Sequence, residues 1–125
     1  YPWSAWDTAG TIAVARASAS DADKNVIIRG LDADYNLITE EITLTSASGN
    51  TSINTYTRLD FIQMNGTAVN VGAITVTKGA TTVGSIAAGV GQSLMGVYTV
   101  PAGYTAYIPH GSMTIQNTAD VLTEV

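Results

Sequence analysis

The stretch YNLITEEITLT, residues 35–45, sorts its side chains into two alternating sets. Leu37, Thr39, Glu41 and Thr43 form one set; Asn36, Ile38, Glu40, Ile42 and Leu44 form the other. A period of two belongs to a β-strand, whose successive side chains leave opposite faces of the sheet. Ile38, Ile42 and Leu44 are the inward candidates. Glu40 is then the odd residue of an otherwise apolar row, and a bulge or strand crossing would accommodate it.

The same pattern recurs on both sides. Residues 11–17 alternate moderately and read as a first strand, followed by the polar loop SASDADKN (18–25), a short apolar run (26–29) and the turn-like GLDAD (30–34). After the loop SASGN (46–50), residues 53–64 are extended, with Tyr56, Phe61, Ile62 and Met64 as packing candidates. Asn65-Gly66 is the strongest short turn signal and is compatible with a type I′ hairpin. In VNVGAITVTK (69–78), Gly72 shifts the phase between Val69/Val71 and Ile74/Val76. Further runs at 83–88, 93–100, 104–108 and 112–117 complete the set.

Strands this short, spaced at roughly 8–12 residues with no long helical periodicity, predict an all-β domain. The expected architecture is an antiparallel β-sandwich of jelly-roll or Ig-like type, or a small barrel, over residues 11–117. Residues 1–10 read as an aromatic N-terminal arm or edge, and 118–125 as a C-terminal tail. Both ends look like cut or processed edges, so the natural chain is expected to continue.

The segment YTVPAGYTAY (98–107) joins two extended runs through Pro101, Ala102 and Gly103. Proline fixes φ and lacks an amide hydrogen, so it suits a turn entry, and glycine takes the positive φ that tight reversals need. A compact hairpin is the expectation, with Val100 and Ile108 on either side.

Only 12% of the 125 residues are charged, about half the usual share, and the polar remainder is mostly Thr, Ser, Asn and Gly. Free monomers usually keep a well-charged surface, so a surface this sparsely charged is expected to be covered in part by partner subunits. The five cations, Arg16, Lys24, Arg29, Arg58 and Lys78, are scattered, and the net charge is −5. A phosphate backbone would find no basic patch and an opposing field, so nucleic acid is not an expected partner. No run is long enough for a membrane-spanning helix. The chain has no cysteine, which removes disulfides, thiolate zinc sites and a cysteine nucleophile.

Catalytic chemistry finds little to work with. His110 is the single histidine, placed between Pro109 and Gly111 with no acid nearby in sequence. Glu40 and Glu41 are adjacent on a strand and point to opposite faces, so they cannot flank one glycosidic bond. Nucleophile-elbow and phosphate-cradle patterns are absent. The expectation is a non-enzyme without catalytic residues or cofactor. Asp21, Asp23, Asp32 and Asp34 form two D-x-D pairs that a sharp turn could bring together around Ca²⁺, although they lack EF-hand spacing; turn capping by the same side chains is the competing reading. Tyr1, Trp3 and Trp6 either cap the open edge of a core or anchor in a neighbouring subunit, where Trp and Tyr are favoured. Tyr98, Tyr104 and Tyr107 are packing residues or an exposed patch suited to sugars.

Three segments together carry a resemblance. Gly30, Leu31, Asp32, Tyr35, Asn36, Glu40 and Leu44 match the pattern GLD-x-x-YN-x-x-x-E-x-x-x-L. Asn70, Gly72, Ile74, Thr75 and Val76 match N-x-G-x-ITV, and residues 98–107 match YTVPAG-x-TAY with Tyr104 at the variable position. The order, from about residue 9 to 108, resembles small β-rich virion proteins of tailed bacteriophages, of the capsid decoration or head-associated type. DADKN stands where a longer glycine-rich loop is the rule, and SASGN where an Asn-Gly turn is. The resemblance implies a passive part of the particle, on the capsid surface or in the tail. A decoration or cement protein would bind the major capsid protein from outside as a homo-oligomer, with a trimer preferred. The alternatives are a tail- or fibre-associated module for a host glycan or receptor, and a subunit of a non-viral β-sandwich filament.

Overall fold

Residues 1–66 and 69–111 are described by the computed structural model, and their strand-forming runs give seven strands. These are β1 (Ala13–Arg16), β2 (Asn25–Leu31), β3 (Leu37–Thr43), β4 (Asn50–Thr51), β5 (Arg58–Met64), β6 (Ile74–Lys78) and β7 (Thr81–Ile86). Short 3-10 turns at Trp3–Trp6 and Ala19–Asp21 accompany them. One sheet has the order β4-β1-β6-β7 and the other β3-β2-β5, all neighbours antiparallel.

The sheets pack face to face through their apolar rows. Val14, Ile74, Val76, Val83 and Ile86 come from one sheet, and Val26, Ile28, Ile42, Leu59, Ile62 and Met64 from the other. Ile12, Leu44, Tyr56 and Trp6 close the margins. Each such aliphatic side chain withdrawn from water contributes roughly 1.5–3 kcal/mol, so this interior holds the fold. The two-fold alternation of residues 35–45 survives in β3, where Ile42 and the following Leu44 are buried and Leu37, Thr39, Glu41 and Thr43 are exposed.

Local chemistry sets the connections. Asp32 closes the β2–β3 turn: its Oδ1 accepts the amides of Asp34 and Asn36, both at 2.9 Å, while Tyr35 takes φ 61°. These bonds to Asn36 and Asp34 hold the exposed Asp32 carboxyl below its ordinary value. A two-residue turn, Gly79-Ala80, joins β6 to β7, with Gly79 at φ 57°. Between β2 and β5 the register slips after Arg29, leaving Asp60 as the extra residue of a bulge. At Gly30 the β5 backbone comes so close that an added Cβ would lie 2.1 Å from the Arg58 carbonyl oxygen.

Several expectations need correction. The turn in YTVPAGYTAY forms, with Gly103 at φ 78° and the Tyr104 amide donating to the Pro101 carbonyl at 3.2 Å. Its flanks do not pair, however, and neither 93–100 nor 104–108 contains a strand. Asn65-Gly66 also turns, with Gly66 at φ 73°, but it ends β5 on the way to the opposite sheet and is no hairpin. The irregularities lie at Arg29/Gly30 and Val76/Thr77, not at Glu40. The short β4 escaped the alternation because it has only two residues. The strand expected at 112–117 and the tail at 118–125 lie outside the described residues.

Candidate interaction surface

The first residues do not project as an arm. Trp6 is driven into the interior, 1% exposed, and the Tyr1 ring stacks on it at 6.2 Å. The Tyr1 hydroxyl accepts the Leu59 amide at 3.2 Å and donates to the Leu59 carbonyl at 3.3 Å, fixing the terminus to β5. Lys78 sits 4.9 Å from the Trp6 ring centre and donates to the Ala5 carbonyl at 2.7 Å and to that of Thr8. Of the two readings for these aromatics, Trp6 therefore takes core closure and leaves the set of interface candidates. Trp3 remains on the surface, 58% exposed, edge-on to Tyr1 at 4.5 Å.

Arg58 extends this surface. Its guanidinium lies 5.7 Å from the ring centres of both Trp3 and Tyr35, while donating to the carbonyls of Trp6 (3.1 Å) and Thr57 (2.7 Å). The cation thus links two exposed aromatics through the attraction of a positive charge for a ring face. Tyr35 leads on to the second half of the surface, because its carbonyl accepts the Ala102 amide at 2.9 Å. There Asn36, Leu37, Tyr98, Pro101, Ala102 and Tyr104 line a shallow depression. Beyond it Tyr107 and Ile108 stand 87% and 86% exposed.

Beneath this region lies Asp60, nearly buried at its bulge. Its Oδ1 accepts the Thr99 amide at 3.4 Å, and Oδ2 has no hydrogen-bond partner among the described residues. Burial pushes its pKa up, against the opposing pull of the Thr99 amide, Arg29 and Arg58.

The calcium candidates separate into different tasks. Asp21 is buried and already saturated, accepting from Lys24 Nζ and from the amides of Val71 and Gly72, each at 2.8 Å. Burial alone would raise its pKa; Lys24 and the two amides outweigh it and bring the value down. Asp32 is spent on its turn, Asp23 has φ 61°, and Asp34 is exposed. No cluster of three or more His, Cys, Asp or Glu comes together among the described residues, so the sharp turn that would unite the four aspartates is not formed.

The two adjacent glutamates face apart. Glu40 points inward at the rim between β3 and β4 and accepts from Ile53 N (2.6 Å), Asn54 N (3.1 Å), Asn54 Nδ2 (2.9 Å) and the Tyr56 hydroxyl (3.2 Å). Tyr56 is buried in the core, and burial together with Glu40 pushes its ionisation far up. Glu41, on the outer face, accepts from Asn65 Nδ2 at 2.9 Å and from Asn25 Nδ2. His110 is exposed near the end of the described chain.

Alternation placed Leu37 on the outward face but singled out neither it nor Tyr35 as part of a contact surface. It also passed over a compositional signal: residues 79–119 contain no Asp, Glu, Lys or Arg. Counting charge along the chain would have marked this stretch. No family model, curated protein or solved structure matches the chain.

Proposed function

We propose that this protein is a structural component of a bacteriophage virion, a capsid decoration protein that docks on the outer shell and clamps neighbouring subunits. The observation carrying this reading is the joined run of exposed aromatic and apolar side chains: Tyr1, Trp3, Tyr35, Leu37, Tyr98 and Tyr104. Contiguous apolar surface of this kind marks a contact site, and Trp and Tyr supply much of the binding energy at such contacts. The biological class rests on the resemblance of residues 30–45, 69–76 and 98–107 to small virion proteins. The partner would be the major capsid protein, with this chain as a homo-oligomer, and a trimer at a local three-fold axis suits the role. Because such a protein binds only the assembled shell, it would stabilise that state by mass action.

The test is mass spectrometry and cryo-electron microscopy of purified particles from the source virus. The expected result is this chain in stoichiometric amount, with the Trp3–Tyr35–Tyr104 surface against the shell. Its absence from particles, or density at a tail tip, would sink the reading.

A second reading rests on the depression itself. Tyr98 and Tyr104 beside Asn36 offer aromatic faces and an amide, the pairing that sugars use, which favours a tail- or fibre-associated module for a host-surface glycan. A glycan array read with the natural chain and with Tyr104→Ala separates the two. Binding lost in the variant supports the module; no binding by either leaves the shell reading.

A further inference from the structure

Sheet edges expose unpaired backbone amides and carbonyls, so each must be capped, charged, shortened or paired. Three of the four edges here are managed. On β5, the Met64 amide donates to the Gly91 carbonyl (2.8 Å), the Ile62 amide to Ser93 Oγ (3.1 Å), and the Ile62 carbonyl accepts the Ser93 amide (2.7 Å). The Tyr1 hydroxyl serves Leu59 on the same edge. β4 is only two residues long, and β3 carries two consecutive glutamates, Glu40 at the rim and Glu41 on the outer face. The fourth edge, β7, is neither charged, shortened nor paired, and its one irregularity is the extra residue Val83 at the register shift opposite Val76 and Thr77. Its six residues, TTVGSI, are uncharged, and among the described residues its backbone makes no backbone–backbone hydrogen bond to anything but β6, only the Ile86 carbonyl accepting Asn70 Nδ2 at 3.5 Å.

The same uncharged stretch supplies a strand without a sheet. Residues 94–108 read LMGVYTVPAGYTAYI, rich in the β-branched and aromatic side chains that strands favour. Among the described residues only two hydrogen bonds tie this run to the sandwich: Thr99 N to Asp60 Oδ1, long at 3.4 Å, and Ala102 N to the Tyr35 carbonyl. Both contacts are on the β3-β2-β5 sheet or its turn. Met95, Gly96 and Val97 line a groove beside β7 residues 82–85, but among the described residues no hydrogen bond joins residues 104–108 to the chain's own β7, which belongs to the other sheet.

We infer that residues 104–108 of one copy add as a strand to the free β7 edge of a second copy. Donor and acceptor are both uncharged, so the pairing brings no like charges together in a chain of net charge −5. At β3 the arm would meet the exposed Glu41 and bring no cation to it. Strand addition gives the unpaired amides of both elements their partners, with main-chain bonds supplying affinity and alternate side chains the fit. Pro101 and Gly103 set the bend before the donor strand. The inference concerns contact between copies and stands apart from the virion reading.

Purified protein tests it without any particle, and the lack of cysteine gives a clean background. Two single variants at exposed positions, Thr105→Cys and Ser85→Cys, are mixed and oxidised with glutathione disulfide. A third, Thr39→Cys on β3, replaces Ser85→Cys as the competing edge. The expected result is a mixed Thr105–Ser85 disulfide several-fold above the Thr105–Thr39 pair. Sedimentation of the cysteine-free chain should show an oligomer that Ser85→Lys or Ala106→Pro dissociates to monomer. A monomeric natural chain, preferential linkage to Thr39, or an oligomer unmoved by both variants overturns the inference.

Discussion

At the scale of single residues, three side chains carry unusual local duty. Gly30 is fixed by space: a methyl group 2.1 Å from the Arg58 carbonyl cannot be absorbed without moving β5. Gly30→Ala should therefore destabilise the fold by about 2–4 kcal/mol, read as a lower urea midpoint. Glu40 answers four donors at the sandwich rim, and Glu40→Ala leaves the Tyr56 hydroxyl buried without its acceptor. A loss of about 1–3 kcal/mol is expected, against a smaller one for Glu41→Ala on the outer face. Asp21 fixes the sign of an acid response. Its folded pKa lies below its ordinary value of 3.8, so its contribution is complete above that value. It declines as pH falls below 3.8 and is gone once the folded value is passed. Asp21→Asn should flatten this acid limb of a stability–pH curve measured by urea denaturation.

At the scale of elements, alternation made β1, β3 and β6 legible, while β2, β5 and β7 showed as short apolar or extended runs with shifted bounds. The same reasoning placed strands at 93–100 and 104–108, where Tyr98-Thr99-Val100 has every local preference for one. Strand preference is realised only against a neighbour, and no described neighbour is there. Asn65-Gly66 shows a related limit: a turn signal states that the chain bends, not which sheet it enters next. For the site, the sequence left Tyr1, Trp3 and Trp6 alike between core closure and surface anchoring, since what separates Trp6 from Trp3 is Lys78 and Tyr1 closing over it. Glycine at the β6–β7 turn has a definite cost of replacement, because φ 57° strains any Cβ. Gly79→Ala should lose about 1 kcal/mol in the same urea assay. The Asp60 bulge runs the opposite way to Asp21. Its raised folded pKa favours the protonated carboxyl, so its contribution is present at low pH and lost as pH rises through the folded value. Asp60→Asn should accordingly be more stable than the natural chain at neutral pH, and the difference should shrink in acid.

At the scale of the whole molecule, charge is distributed unevenly. All five Lys/Arg lie within residues 1–78, and the long neutral stretch after them holds both the β7 edge and the exposed Tyr98, Tyr104 and Tyr107. The exposed aromatics of the proposed contact come from both parts, Tyr1, Trp3 and Tyr35 from the first and Tyr98 and Tyr104 from the second. Removing surface aromatics should therefore separate assembly from folding. Trp3→Ser, with Trp3 already more than half in water, should leave the urea midpoint within about 0.5 kcal/mol of the natural chain while weakening attachment to shells. The two tryptophans also make the molecule its own optical probe. Trp6 is sealed against Lys78 and Trp3 is open, so a soluble quencher should dim one emitter and spare the other. Unfolding would shift the protected emission to the red, whereas contact with a partner would shift the open one to the blue. Folding and attachment can thus be followed in one cuvette, by the colour of two indoles, with no label added.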